Sequence, residues 1–364
     1  MSLDRNRYLP TQLIRQDILS LHAYHVQPSP GMIKLDAMEN PYALPQNICS
    51  EISRIVASAP INRYPDAGAH SLKQRIKTII GLPPEMDILL GNGSDEIIQL
   101  LAMALAKPGA TLMSVEPSFV MYKMIATFTG MTYLGVPLAD DFSLDMEVML
   151  ATIKKHQPEL IFLAYPNNPT GNLFDSASVL QILDVAEGLV VIDEAYYAFA
   201  RDSFVPLLAN YANLMVIRTF SKLGMAGLRL GFLAGSKAWL EQLEKLRLPY
   251  NVGILTQKVA ETLLLHHDVL LQQAEYIKRD RAWLFERLVG TVDVHAYISE
   301  ANFILFRLPH AAKVFEGLKQ RGVLIKKLDG SHPSLQDCLR VTVGTEAENE
   351  KFIKALQESI HQFA

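Results

Sequence analysis

Between Asp87 and Ala234 the sequence alternates short apolar runs with longer amphipathic stretches. This rhythm predicts β-strands that alternate with α-helices, and therefore a mostly parallel sheet sandwiched by helices. Several runs are almost entirely apolar, as expected for strands buried on both faces. The predicted strands are Ile88–Leu90, Thr111–Val115, Leu160–Ala164, Leu189–Ile192, Met215–Arg218 and Leu230–Ala234. The sequence thus predicts the α/β fold class.

The pattern changes near Pro249, after which a smaller α+β domain is predicted. A long helical pattern runs from Leu255 to Val289, and short strands and helices then alternate to the end of the chain. We therefore expect an N-terminal arm with part of the small domain at residues 1–40, a large domain at 41–248, and a connecting helix with the rest of the small domain at 249–364. The other predicted helices and strands are Asp95–Ala106, Ser176–Glu187, Val292–His295, Phe303–Arg307, Ala311–Arg321, Val323–Lys326, Leu339–Val343 and a last helix from Glu348.

Charge and composition exclude several function classes. The 364 residues carry a formal net charge of −4 with no long block of one sign, so no electrostatic footprint for nucleic acid or membrane is predicted. No apolar run reaches the roughly 18 residues of a membrane span, and we expect a cytoplasmic protein. Cys49 and Cys338 predict free thiols. The His22/His25 and His266/His267 pairs lack the further ligands of a metal site, so none is expected.

Two loops that follow predicted strands contain polar residues suited to a ligand. The segment Gly91–Glu96 opens a predicted helix, where free N–H groups and the positive helix end suit a phosphate. It also fits an ordinary turn and helix cap, and it lacks the GxGxxG spacing of a dinucleotide fingerprint. In Tyr165–Gly171 two prolines and a glycine fix the loop, so that Asn168 can donate to a ligand oxygen. A rigid turn capped by asparagine is the alternative.

Two charged residues at strand ends are harder to explain as ordinary structure. Asp193 ends an apolar strand, and a buried carboxylate needs a positive partner, such as a core arginine or a protonated ring nitrogen. Lys222 lies between two apolar strands among small residues, a setting that suits a nucleophilic amine rather than a solvated charge. Ser221 and Arg229 can hold an anion near that amine.

These motifs, in this order, resemble the pyridoxal-phosphate (PLP) binding core of the fold-type I aminotransferase family. The resemblance rests on Asn167–Gly171, Asp193–Tyr196 and Ser221–Arg229 and extends across nearly the whole chain. It implies a large domain with a mostly parallel sheet plus a smaller α+β domain. Within the family, four further segments are most similar to histidinol-phosphate aminotransferases. They are Leu35–Pro41, Arg63–Asp66, Arg247–Asn251 and Ala301–Phe306.

The resemblance implies three catalytic residues, Lys222, Asp193 and Tyr196, and a set of cofactor contacts. Lys222 would form a Schiff base with the cofactor and move the proton during amino transfer. Asp193 would pair with the pyridinium nitrogen and keep the ring electron-accepting. Asn168 and Tyr196 would hydrogen-bond the phenolic oxygen of the ring. The residues expected around the cofactor phosphate or stacked on its ring are Ser94, Asp95, Ser221, Arg229 and Phe119.

The resemblance also implies a homodimer and a substrate pocket. Tyr64 would reach the cofactor phosphate of the other subunit, which makes the dimer part of the active site. Arg340 matches the family arginine that receives a substrate carboxylate or phosphate. Some relatives carry a second arginine after Gly344, where this chain has Lys351, which supplies charge without a bidentate fork. The expected substrate contacts are Tyr24, Asn40, Tyr64, Tyr122, Asn168 and Arg340.

The function that the resemblance implies is amino transfer from glutamate to imidazole acetol phosphate, giving histidinol phosphate. The implied partners are these small molecules and a second copy of the chain. An aromatic-amino-acid aminotransferase or a phosphothreonine decarboxylase on the same fold is the nearest alternative. A PLP-sensing transcription factor would need a DNA-binding domain, for which the arm before Leu35 is too short and not basic enough. A dinucleotide-dependent dehydrogenase would need a GxGxxG motif.

Overall fold

A computed structural model describes residues 9–23 and 27–363, and a seven-stranded sheet forms its centre. The strand order is β2-β8-β7-β6-β5-β3-β4. Strand β8 is antiparallel to both of its neighbours, whereas the pairs from β7 to β4 are parallel. The strands are β2 Met86–Gly91, β3 Thr111–Glu116, β4 Thr132–Pro137, β5 Leu160–Ala164, β6 Leu189–Asp193, β7 Leu214–Thr219 and β8 Gly231–Ser236. The predicted mostly parallel sheet is confirmed.

Helices cover the central sheet and connect its strands. Short N-terminal helices precede them, and strand β1 Ile33–Lys34 lies outside the central sheet. The α-helices between residues 9 and 244 are α1 Pro10–Leu13, α2 Gln16–Leu19, α3 Gln46–Ser58, α4 His70–Ile79, α5 Ser94–Leu105, α6 Met121–Thr129, α7 Met146–His156, α8 Ser176–Val185 and α9 Lys237–Glu244. Among the described helices none is long and apolar enough to cross a membrane.

The central strands are buried on both faces, which explains their continuous apolar sequences. Along β5, Leu160 and Phe162 pack into the hydrophobic layer on one side, while Ile161 and Leu163 pack into the layer on the other. The alternation follows from the two-residue period of a strand. Because both faces are covered by apolar side chains, polar groups are accommodated mainly at strand ends.

A second, four-stranded antiparallel sheet is formed by the C-terminal part of the chain, in the order β12-β13-β10-β9. Strand β1 pairs in parallel with β11, which ties the N-terminal segment to this region. The predicted single strand Val323–Lys326 is instead two short strands, because β11 pairs with β1 and β12 pairs with β13. The elements are α10 Ile254–Leu263, α11 His267–Val289, β9 His295–Ala296, β10 Phe303–Arg307, α12 Ala311–Gln320, β11 Val323–Leu324, β12 Lys326–Lys327, β13 Cys338–Thr342 and α13 Glu346–Phe363.

Two other predictions in this region differ from the structure. The helical pattern from Leu255 to Val289 is divided by a single 3-10 turn at Leu264–His266. The strand predicted at Val292–His295 is reduced to β9, which begins only at His295 and pairs with the end of β10. Pairing with β10 decides where β9 begins, and that contact is not visible in the local sequence.

Candidate functional site

A cavity lies at the carboxyl ends of the parallel strands, where an α/β sheet keeps its ligand sites. It collects most of the residues predicted to bind cofactor, together with Met38, Ala164, Ala195 and Thr219. The predicted residues that line it are Ser94, Asp95, Phe119, Tyr122, Asn168, Asp193, Tyr196, Ser221, Lys222 and Arg229. Residues from six separate chain segments therefore converge on one volume.

Asp193 forms the base of the cavity as the last residue of β6. Its carboxylate accepts a hydrogen bond from the Tyr122 hydroxyl at 2.7 Å and from the backbone N–H of Ala195 at 3.1 Å. Burial raises the pKa of Asp193 to about 6, while these two donors act in the opposite direction. Within residues 9–23 and 27–363 the carboxylate forms no ion pair, so the positive partner predicted from the sequence is not a protein side chain there.

Tyr122 supports Asp193 from the neighbouring helix α6. Its side chain is fully buried, and its ring stacks on Phe162 of β5 with centroids 4.8 Å apart. Phe119 packs edge-on against the same ring at 5.5 Å. The sequence predicts Tyr122 as a substrate contact, and the structure places its hydroxyl on the carboxylate of Asp193.

Lys222 follows β7 in a short 3-10 turn and projects its amine into the cavity. The amine donates to the backbone carbonyl of Ala37 at 3.0 Å and lies 6.0 Å from the ring centre of Tyr196. Desolvation first, and the positive charge of Arg340 second, lower the pKa of Lys222 to about 8. An amine in this range is partly unprotonated near neutral pH, as a nucleophile or a proton-transfer group requires.

The opposite end of the cavity is suited to an anion. Helix α5 begins at Ser94, directly after Gly93, whose φ of 86° suits glycine. The guanidinium of Arg229 lies there, with Nη1 donating to Ser221 Oγ at 3.4 Å and Nη2 3.3 Å from the carboxylate of Asp95. The N–H groups of a helix start, a hydroxyl and an arginine are groups that together suit a phosphate.

Asn168 and Arg340 connect the cavity to the C-terminal sheet. The side-chain oxygen of Asn168 accepts a short hydrogen bond from Arg340 Nη1, and Arg340 Nη2 donates to the carbonyl of Asp36 at 3.1 Å. The Arg340 guanidinium also lies 5.0 Å above the Phe303 ring. The preceding Asn167 is held by the Pro117 carbonyl and by Thr170, which makes it structural. Arg340 thus lies behind Asn168 rather than in the cavity lining.

Besides Arg340, three described residues that the sequence analysis names, Asn40, Tyr64 and Lys351, lie outside the cavity lining. Asn40 donates to Gln273 on α11 at 2.9 Å, and its oxygen accepts from the N–H of Tyr42. Tyr64 is exposed on the surface of this protomer. Lys351 lies on α13 with an exposed side chain. Tyr24 is outside the described residues.

Sequence reasoning missed a buried ion pair beneath the cavity. Glu194 and Arg218 form it at 2.8 Å, and the hydroxyl of Ser203 bonds to both of them. The backbone N–H of Phe204 donates to Glu194, and Arg218 lies 4.3 Å above the Tyr197 ring. These contacts join the ends of β6 and β7, which carry Asp193 and Lys222. The acidic pair at residues 193–194 was the available signal, because only one of two adjacent carboxylates can face the cavity.

The groups around the cavity match PLP in kind. The cofactor offers a phosphate, a protonatable ring nitrogen and an aldehyde. The cavity offers groups suited to a phosphate at Ser94 and Arg229, the carboxylate of Asp193, which pairs with no cation among the described residues, and the amine of Lys222. The buried carboxylate is the strongest part of this match, because a buried charge without a counter-charge is costly even when it accepts hydrogen bonds.

Comparison with known proteins gives the same result. The family model for aminotransferases of class I and II matches residues 30–356. A histidinol-phosphate aminotransferase from Chromobacterium violaceum is 49% identical over 346 residues, with 95% of this chain and 97% of the relative covered. A second one, from Cupriavidus pinatubonensis, is 48% identical over 354 residues, with 96% and 97% covered.

Solved structures support the fold. A histidinol-phosphate aminotransferase from Sinorhizobium meliloti, in complex with PLP, superposes with a TM-score of 0.87 at 23% identity, covering 96% of this chain and 98% of that one. An L-threonine-O-3-phosphate decarboxylase from Porphyromonas gingivalis gives 0.77 at 22% identity, with 91% and 100% covered. From the family model and the two close relatives, the chain belongs to the class I and II aminotransferase family, among the histidinol-phosphate aminotransferases.

Proposed function

We propose that this protein is a PLP-dependent transaminase that interconverts histidinol phosphate and 2-oxoglutarate with imidazole acetol phosphate and L-glutamate, in histidine biosynthesis. The observation that carries the proposal is identity of 46–49% over nearly the whole chain to histidinol-phosphate aminotransferases. The cavity at the strand ends supports it independently, because it combines an amine, a carboxylate and a phosphate site.

PLP, when bound, supplies an aldehyde for the amino group and a ring that accepts electrons from the substrate Cα. The protein's residues then have separate tasks. Asp193 holds a proton at the ring nitrogen, and Tyr122 fixes the orientation of that carboxylate. Lys222 would hold the cofactor through its amine and would move the proton at the substrate Cα, a role suited to a pKa of about 8. Asn168 and Tyr196 orient the ring from its phenolic side.

The remaining tasks concern anion binding. Ser94, Ser221 and Arg229 hold the cofactor phosphate at the start of helix α5. Arg340, which lies behind Asn168, would receive a carboxylate or phosphate of the substrate by exchanging its hydrogen bond to the Asp36 carbonyl for that group. Its hydrogen bond to Asn168 links that substrate group to the ring contact.

We also propose that the active enzyme is a homodimer with shared sites. Tyr64 is 79% exposed and stacks on Tyr250, with ring centres 4.3 Å apart. Ile61 and Leu248 on the same stretches are 74% and 71% exposed. Large exposed apolar side chains of this kind favour an interface with another protein. The proposed large domain at 41–248 would then supply both the cofactor site and the dimer contact through Tyr64.

The substrate is tested by half-reaction spectra of the purified enzyme with histidinol phosphate, phenylalanine and phosphothreonine. We expect histidinol phosphate to convert the cofactor with the highest kcat/KM. A large preference for phenylalanine, or release of carbon dioxide from phosphothreonine, would reject the proposed substrate in favour of the two alternative enzymes. Lys222→Ala should abolish the absorbance of the lysine–cofactor linkage. An unchanged spectrum would reject Lys222 as the residue that binds PLP, and with it the proposed function.

The shared site is tested by mixing two inactive variants. Lys222→Ala and Tyr64→Ala subunits, combined in a hybrid dimer, create one site with an intact Lys222 and a Tyr64 supplied by the partner. We therefore expect the mixture to regain activity that neither variant has alone. Failure to regain activity in a verified hybrid would show that Tyr64 does not act across an interface.

A further inference from the structure

The segment Asp36–Met38 forms one wall of the cavity and carries an unusual backbone conformation. Met38 has a φ of 55°, in the left-handed region that residues with a Cβ rarely adopt. Its side chain lines the cavity and is buried. Such a conformation costs free energy and persists only where surrounding contacts enforce it.

Two buried side chains of the C-terminal sheet enforce this conformation. The hydroxyl of Thr342 accepts from the Met38 N–H at 3.0 Å, and the Asn302 side-chain amide donates to the Met38 carbonyl, also at 3.0 Å. Both backbone groups of Met38 are therefore held from one side. Thr342 ends β13, and Asn302 immediately precedes Phe303, which pairs with Thr342 across the sheet.

Asn302 has a feature that packing does not explain. Its side chain is fully buried, yet its Oδ1 atom has no hydrogen-bond partner within the part of the chain that the structure describes. A buried polar atom left unsatisfied is costly, so an apolar residue of similar size would serve a purely structural role better. The amide is therefore best explained by its donation to Met38.

The preceding residue shows what the conformation achieves. The carbonyl of Ala37 accepts from the Lys222 amine at 3.0 Å. A peptide carbonyl can point in this direction only if the next residue has the matching backbone angles, because the peptide unit between them is planar. The conformation of Met38 thus aims the acceptor at Lys222.

We propose that Asn302 and Thr342 are positioning residues, which hold Met38 in the left-handed conformation so that the Ala37 carbonyl receives the Lys222 ammonium whenever this lysine is not joined to the cofactor. The proposal rests on the proposed function for the identity of the cofactor. It assigns a task to two residues that are not themselves part of the cavity lining and that act through Met38, which does line the cavity.

The sign of the effect follows from the charges around Lys222. Arg340 and Arg229 disfavour its ammonium form, whereas Glu39 and Asp95 favour it. The Ala37 carbonyl accepts a stronger hydrogen bond from the charged ammonium than from the neutral amine, so it raises the pKa of Lys222. Loss of the aimed carbonyl should therefore lower the pKa of Lys222.

The measurement is the rate at which the cofactor-free enzyme, prepared from the holoenzyme, captures added PLP as a function of pH. Capture needs the unprotonated amine. We expect Thr342→Val to move the midpoint down by about 1 pH unit, which makes capture at pH 7 about fivefold faster than in the wild type. Thr342→Ser keeps the hydroxyl and should keep the wild-type midpoint. Asn302→Leu should act like Thr342→Val.

A second substitution separates positioning from stability. Glycine adopts positive φ without strain, so Met38→Gly combined with Thr342→Val should return the midpoint toward the wild-type value. The inference is overturned if Thr342→Val and Asn302→Leu lower the melting temperature but leave the midpoint unchanged, or if Met38→Gly does not restore it. Should Asn302→Leu not fold, the Thr342→Val and Thr342→Ser pair decides.

The assay does not depend on the amino-acid substrate. A wild-type enzyme that captures PLP but does not react with histidinol phosphate would refute the proposed function and leave this test intact. Conversely, a normal reaction with histidinol phosphate together with unmoved midpoints would refute only the positioning role.

Discussion

Replacement of Tyr122 by phenylalanine tests the link between the buried carboxylate and cofactor binding. The variant keeps the ring that stacks on Phe162 and removes only the hydroxyl that lies 2.7 Å from Asp193. A hydrogen bond to a charged group contributes roughly 1.5–3 kcal/mol, which corresponds to about 1–2 pH units. One donor, the N–H of Ala195, would remain. The pKa of Asp193, about 6 in the wild type, should therefore rise toward about 7–8.

The assay is the dissociation constant for PLP between pH 5.5 and 9, taken from cofactor absorbance. PLP should bind tightly only at pH values where Asp193 is ionised. The pH above which binding is tight should therefore be about 1–2 units higher in Tyr122→Phe than in the wild type. Tyr165→Phe is the matched control, because that buried tyrosine bonds to Asp202, away from the cavity. An unchanged pH dependence in Tyr122→Phe would show that the hydroxyl does not set the ionisation of Asp193.

Substitutions at Asp193, Gly231 and Arg218 test the cavity and the ion pair beneath it. The pKa of Asp193 rises from 3.8 to about 6 on folding, so its contribution to stability is full below pH 4 and is lost as the pH rises through 6. Asp193→Asn removes the buried charge and should therefore raise the free energy of unfolding of the cofactor-free protein at pH 7–8 by up to about 3 kcal/mol, measured by urea unfolding. The same variant should bind PLP more weakly. In Gly231→Ala the new Cβ would lie 2.8 Å from the Ser94 backbone nitrogen, so the start of helix α5 must shift and PLP affinity should fall by about tenfold in titrations. An affinity equal to that of the wild type would contradict this. Arg218→Met should lower the free energy of unfolding by about 3–5 kcal/mol in urea, because Glu194 is left buried without its counter-charge. The double variant Arg218→Met/Glu194→Gln should recover much of this loss. An equal loss in the single and double variants would contradict the prediction.

The strands of the central sheet could be predicted from the sequence where burial is two-sided. The strand Leu160–Ala164 has the predicted bounds, because all five of its residues are buried and have apolar side chains. Strand β4, Thr132–Pro137, was not predicted. It lies at the edge of the sheet, is largely exposed, and contains a glycine and a proline, so it has neither an apolar run nor a clear alternation.

The site could be predicted where a motif lies at one strand end and not where distant segments meet. Asp193, Asn168 and Lys222 each carry a local signal, and all three line the cavity. The role of Tyr122 could not be derived, because its contact with Asp193 joins α6 to β6, 71 positions apart. The same holds for Met38, whose hydrogen bonds reach 264 and 304 positions along the chain.

The cavity contains an acid, Asp193, and a base, Lys222, and burial disfavours the charged form of both. The pKa of Asp193 moves up to about 6 and that of Lys222 moves down to about 8, with desolvation as the largest cause of each shift. Two contacts from distant segments help to retain these charges near neutral pH, the Tyr122 hydroxyl on Asp193 and the Ala37 carbonyl on Lys222. A ligand with a protonated ring nitrogen and a carbonyl would relieve both costs at once. Cofactor affinity and the stability of the folded chain should therefore depend on the same two contacts, because each contact stabilises a charge that the cofactor also stabilises.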